Sequence, residues 1–334
     1  MAKCDVYPSA DFACRQVWPG AYGNTPAREG YPCPEDAAPV IHQQTPVVTI
    51  GSCFAREIKD ALINAGYNHL QTEADQRAAR HGSAAWERIY STFCLRQVFQ
   101  YSFSDWNPDL RWWITPQTSK VQDPFRRDVL YDTMEQAEGT FAAHRDASRQ
   151  VLTQAKVIII ALESTEIWED KKDGQVIALP AGPYVSEGGD MSRYRFRVSR
   201  YDENLMNLTA IHSLLSLHNP DCAVIVVVSP VHLWATFRHD VDVITAGGNV
   251  KATLRAVADE FASRHDNVFY FPALEIATTW QAINGKCIFA EGRENFHMNP
   301  ETLKTVMEHL FLRYGHPDEK GRPARDPSAP NLQP

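Results

Sequence analysis

The stretch VVTIGSCFAREIKDALINAG, Val47 to Gly66, decides how the rest of the chain is read. Four apolar or β-branched residues end abruptly at Gly51. Ser52 and Cys53 follow, and then a segment in which Phe54, Ile58, Ala61, Leu62 and Ala65 recur at helical spacing. The pattern predicts a short buried strand over Val47 to Ile50 and a helix over Cys53 to Ala65, with Gly66 as its C-terminal cap. Two nucleophilic side chains therefore stand where a strand turns into a helix. Backbone N–H groups and the helix dipole at such a turn favour an anion. They can lower a thiol pKa and supply donors to a developing oxyanion. The spacing alone equally allows a small-residue helix start, with Ser52 as cap and Cys53 buried.

The same alternation continues along the chain. Val157 to Leu162 and Ala223 to Val228 are continuous apolar runs of strand length, and Val268 to Phe271 is another. Helical spacing is read over Asn204 to Leu217 and Val250 to His265. The last helix starts at NPET, with Asn299 as cap and Pro300 in the first turn. These elements imply an α/β fold: a doubly wound, mostly parallel sheet covered on both faces. Residues 73–150, rich in aromatics such as Trp86, Tyr90, Phe99 and Trp113, interrupt the rhythm and are expected to form a largely helical insertion. Residues 1–45 read as an irregular arm, 46–314 as one domain, and 315–334 as a disordered tail.

The 334 residues are 44% hydrophobic and 22% charged, which suits a chain that builds its own core. With 33 basic and 41 acidic side chains the net charge is -8, which argues against nucleic acid as the main partner. The four arginines of RYRFRVSR (Arg193 to Arg200) read as a solvated amphipathic strand. No apolar run approaches the ~20 residues of a bilayer span, so no membrane partner is expected. Seven irregularly spaced cysteines without a CxxC pair suit a reducing compartment, and the expected location is cytoplasmic. Neither a metal-ligand spacing nor a dinucleotide or phosphate-loop fingerprint is present, so no cofactor is expected. AGGN (Ala246 to Asn249) reads as a glycine turn leading into a helix.

IGSCFAREI resembles the signature of the GSCFA-motif family, a branch of the SGNH (GDSL-like) hydrolase superfamily. RIYST (Arg88 to Thr92), LESTEIWED (Leu162 to Asp170), VVVSPVHLWATF (Val226 to Phe237), KATLRAV, VFYFPALEI and ENFHMNP (Glu294 to Pro300) resemble further blocks of that family, in order, over roughly residues 45 to 313. The resemblance implies a flavodoxin-like three-layer sandwich and acyl-transfer chemistry, as an esterase- or thioesterase-type hydrolase or an acyltransferase. The substrate would be a small-molecule or carrier-bound acyl group. It implies a nucleophile on the first strand-helix elbow and a general base, His297, on a late loop. Glu294, three residues before it, is the candidate orienting acid. Aligning Gly51 with the superfamily's glycine places Cys53 on the nucleophile and Ser52 beside it; the alternative register makes Ser52 the nucleophile.

The chain also departs from the pattern. Glu87 and Arg88 stand where related sequences tend to carry Gly-Asn, and Glu163 stands where they tend to carry Gly. The usual oxyanion residues are thus not recognisable. Backbone donors at residues 52–54, or the side chains of Arg88, Ser164 or Thr165, are the candidate substitutes. Tyr90, Glu166, Trp168 and His232 fall in matching blocks and are candidate substrate-binding residues, with Gly51 and Phe54 at the elbow. A non-catalytic binding or accessory protein on the same fold is the competing reading. A dinucleotide-binding oxidoreductase ranks behind both.

Overall fold

The computed structural model describes residues 18, 39–73, 82–109, 112–126, 129–178, 185 and 188–316. Most of the expected N-terminal arm and tail lies outside them. The chain divides into two compact units. One holds the described residues from 43 to 271; the other holds those up to 42 together with 272–316.

The larger unit is built on a parallel sheet of β1 (Val47–Gly51), β5 (Val157–Leu162), β9 (Ala223–Val228) and β10 (Val268–Phe271), in the spatial order β1-β5-β9-β10. Its strands are buried nearly throughout, which is why they read in the sequence as unbroken apolar runs. On the outer side of β1, Val47 makes one parallel bridge to His69. The chain thus leaves β1 toward one side and returns on the other at β5. That places the topological switch point between β1 and β5, where open α/β sheets form a crevice at the carboxyl ends of their strands.

Helix α1 (Cys53–Asn64) buries Phe54, Ala55, Ile58 and Leu62 and packs on β1 and β5. Gly66, at φ 78°, ends it in the left-handed region expected of its cap. Helix α2 (Thr92–Phe103) and helix α3 (Met134–Gln154) form the helical part of the insertion. Between them lies a three-stranded antiparallel sheet of β2 (Trp113–Ile114), β3 (Val121–Gln122) and β4 (Leu130–Tyr131). The insertion is therefore more mixed than its sequence suggests, because two-residue strands leave no periodicity to detect.

A second antiparallel sheet has the order β7-β6-β8, from β6 (Glu166–Asp170), β7 (Val176–Ile177) and β8 (Tyr194–Val198). The arginine-rich stretch is β8 and its flanks. Arg195 and Arg197 pair with Glu169, and Arg193 pairs with Asp170, so acids across the sheet neutralise the patch.

Helix α4 (Tyr201–His218) buries Leu205, Leu208, Ile211 and Leu215. Helix α5 (Val243–Ser263) packs on β9 and β10 and starts seven residues before the expected Val250. AGGN lies inside this helix and is not a turn. Asp242 caps it by accepting from the Ile244 and Thr245 amides, both at 2.9 Å, and Ala246 and Gly247 are buried, so capping and packing outweigh the weak helix propensity of two glycines. No helix among the described residues is long and apolar enough to cross a membrane.

In the smaller unit, residues 273–283 are helical with a π-helical centre, Ile276–Trp280. Helix α6 (Pro300–Tyr314) begins as expected, with Asn299 Oδ1 accepting from the Thr302 amide at 2.8 Å. Ile41 bridges in parallel to Gly315.

Candidate active site

Gly51 ends β1 with φ 142°, and a Cβ there would lie 2.2 Å from the Ala161 carbonyl oxygen. Only glycine fits so close an approach to the neighbouring strand. Ser52 then donates its amide to Ala161 O at 3.2 Å. Its side chain is fully buried, and its Oγ accepts from the Phe54 amide at 3.3 Å. Ser52 is the helix cap. Phe54 is also fully buried and belongs to the core.

Cys53 is the elbow residue that keeps partial exposure. Its thiol donates to Glu163 Oε2 at 3.7 Å. Sheet register explains the meeting. Gly51 lies beside Ala161, so the residues two further along, 53 and 163, emerge together at the switch point. Glu163 is 6% exposed. Burial and the Glu163 charge push the Cys53 thiol well above its ordinary pKa, against the opposing charges of Arg88, Arg56 and Lys251. At this helix start, burial and a neighbouring carboxylate thus raise the thiol pKa, the direction opposite to the dipole's.

Residues 87–91 run across this edge. The Ile89 amide donates to Gly51 O at 2.7 Å, and Tyr90 O accepts from the amides of Glu163 at 3.3 Å and Ser164 at 2.9 Å. Glu87 adopts φ 60°, a left-handed conformation unusual for a residue with a side chain, and is buried. Its carboxylate accepts from Arg88 Nε at 2.8 Å. Arg88, Tyr90, Ser91, Cys94, Glu166 and Trp168 line a small cleft.

The remaining candidates divide. Ser164 Oγ accepts from the Glu166 amide at 3.0 Å and closes a local turn. Glu166 accepts from the Thr236 hydroxyl and from the Phe237 amide, so its carboxylate anchors the loop after β9. Trp168 packs edge-on against Phe237, with ring centroids 5.1 Å apart. His232 is half-buried beside α5, and burial and the Lys251 charge lower its pKa, favouring the neutral ring. His297 belongs to the smaller unit, where its carbonyl accepts from the Ala290 amide at 2.9 Å and its ring lies against Phe296. Glu294 is in the same unit, in a short 3-10 turn; its side chain lies outside the described residues.

Two residues were not singled out as site residues from the sequence. Glu163 stood there only as a departure, although an acid just past a strand that neighbours the elbow strand is a legible signal. Lys251 is 6% exposed on α5, between the buried Val250 and Leu254. A lysine on the apolar face of a helix was the clue. Its Nζ has no hydrogen-bond partner among the described residues.

A family model described as the GSCFA family matches residues 46–310. The chain belongs to the GSCFA family. Among solved structures, this GSCFA protein is similar to an acetyl xylan esterase from the rumen bacterium Butyrivibrio proteoclasticus, at 13% identity and a TM-score of 0.31, over 82% of this chain and 64% of that one. The GSCFA chain therefore spans less than two thirds of that esterase's length. No curated protein matches it.

Proposed function

We propose that this GSCFA protein is an acyl-transfer enzyme, a hydrolase or acyltransferase, with Cys53 as its nucleophile. The observation that carries the reading is the Cys53 thiol donating to Glu163 Oε2 at the switch point of the sheet. The fully buried, capping Ser52 supports Cys53 over Ser52 as the attacking group.

The chemistry follows from a thiol that stays protonated at rest. As Cys53 sulfur attacks an ester or thioester carbonyl, its proton passes to the Glu163 carboxylate. The C–S bond forms and the carbonyl π pair moves onto oxygen. Collapse of that adduct breaks the bond to the leaving group, which takes the proton back from the carboxylic acid of Glu163. Water, or an acceptor alcohol or amine, then gives its proton to Glu163 as it attacks the thioester. Cys53 leaves and recovers that proton. The resemblance assigns the base role to His297; the contact within the larger unit supports Glu163 for the first proton. Arg88, Tyr90 and Trp168 line the cleft offered to the acyl donor. A non-catalytic binding role is the second reading, favoured by the raised thiol pKa.

Turnover of 4-nitrophenyl acetate tests the proposal. Cys53→Ala is expected to fall to the uncatalysed rate, while Ser52→Ala keeps acylation and loses about 1 kcal/mol of stability with its cap. Wild-type turnover in Cys53→Ala would contradict the assignment. A wild-type protein inert toward both oxygen and thiol esters would favour the binding role.

A further inference from the structure

Lys251 is a buried cation that neither the fold nor the proton transfer above explains. Removing an ammonium from water is costly unless it is paired and hydrogen-bonded. Yet Nζ, with three donors, has no hydrogen-bond partner among the described residues. Burial lowers its pKa, and the charges of Glu163 and of an ionised Cys53 raise it, so it lies within electrostatic reach of both. It also acts on His232. These three residues follow β1, β5 and β9, three adjacent strands of the sheet. Gly247, one turn before Lys251 on α5, brings the helix to this carboxyl edge: a Cβ there would lie 4.0 Å from His232 Nδ1.

Several donors at this edge are already committed. The Ser52 amide is bonded to Ala161 O, the Phe54 amide to Ser52 Oγ, and the Ala55 amide to Ser52 O at 2.9 Å. Ser164 Oγ is held in its turn, and Arg88 Nε donates to Glu87. The negative oxygen formed when sulfur adds to a carbonyl needs a donor in addition to these. Lys251 Nζ, buried and without a hydrogen-bond partner among the described residues, offers that donor.

We propose that the Lys251 ammonium donates to the tetrahedral oxyanion formed on Cys53 and so replaces the oxyanion residues missing from this chain's motifs. The inference rests on the acyl-transfer reading above. In the step it serves, the C–S bond forms, the π pair moves to oxygen, and a Lys251 N–H hydrogen-bonds that oxygen until collapse expels the leaving group. No proton needs to leave Lys251.

Two reagents separate this role from an effect on the thiol alone. Acetylation of Cys53 by 4-nitrophenyl acetate passes through an oxyanion; alkylation by iodoacetamide, a direct displacement, does not. In Lys251→Met the acetylation rate is expected to fall roughly 10²- to 10³-fold, the range for loss of one oxyanion donor. Iodoacetamide alkylation should change only through the thiol's ionisation, so at each pH across its profile its loss is smaller than the loss of acetylation. The groups that bear on that profile are Glu163, Arg88, Arg56 and His232. Lys251→Arg, which keeps charge and donors, should recover part of the acetylation rate. If Met is not tolerated at this buried position, Lys251→Gln carries the same comparison. Equal losses with both reagents, or an unchanged acetylation rate, would overturn the oxyanion role while leaving the Cys53 reading intact. A wild-type protein that is not acetylated at Cys53 would overturn both.

Discussion

Two buried polar clusters in the larger unit make an instructive pair. In the insertion, Glu73 Oε2 accepts from the Ala85 amide at 2.6 Å and pairs with His144 Nδ1 at 2.7 Å. His144 Nε2 meets the Tyr101 hydroxyl at 3.0 Å. Beside them Asp123 pairs with Arg126 at 2.7 Å, and Arg126 also donates to Tyr131. An acid, an imidazole and a hydroxyl joined in series, next to an aromatic-lined pocket, have the outline of a catalytic relay. At the elbow, by contrast, the contact between Cys53 and Glu163 is long, and Lys251 Nζ has no hydrogen bond among the described residues. The insertion cluster is the more closely bonded, and that makes it architecture. A saturated network rigidifies the fold; open valence beside a nucleophile is what chemistry can use.

The largest expected effect tests the architectural half. Asp123→Ala leaves the buried Arg126 without its carboxylate and is expected to lower stability by about 3–5 kcal/mol, read from urea unfolding, while esterase turnover per folded molecule stays unchanged. A loss under about 1 kcal/mol, or a specific loss of turnover, would place chemistry in the insertion. Stability carried by Glu73 has a definite pH sign. Burial alone would raise its pKa, but the His144 ring and the Ala85 amide outweigh burial and hold it below the usual carboxylate value. That contribution is present above the unfolded pKa and is lost as pH falls through the folded one.

A smaller effect sharpens the elbow half. Glu163 raises the Cys53 pKa, so Glu163→Gln should increase the thiolate fraction and speed iodoacetamide alkylation near pH 8. The same variant should slow acylation by esters, because the proton acceptor is gone. The opposite signs are the diagnostic. If His297 alone takes the proton, Glu163→Gln leaves acylation intact and His297→Gln abolishes it.

Much of this was legible before any coordinates. The strands at Val157–Leu162, Ala223–Val228 and Val268–Phe271 fall where the apolar runs stand, because strands buried on both faces have no polar alternation to blur them. Gly51 was equally legible, since a strand-to-helix turn this tight excludes a side chain. The start of α5 was not: Gly247 and Gly248 argue against helix locally, and only the Asp242 cap and tertiary packing override them. Glu166 lines the cleft, as its matched block led one to expect of a site residue, but its partners Thr236 and Phe237, about 70 residues away in sequence, were not legible. Glu163 and Lys251 were obscured for the same reason. Their importance is a matter of which strand ends lie side by side, and register between distant strands is a tertiary fact.

Peptide mapping after brief exposure of the native protein to 4-nitrophenyl acetate tests the central claim most directly. Cys53, half-buried beside Glu163, is predicted to carry the acetyl group. Cys94, whose thiol is held against the Val176 and Ile177 carbonyls, and Ser52, held in the helix cap, are predicted to carry none. An acetyl group on Ser52 or within the insertion, with Cys53 unmodified, would contradict the account.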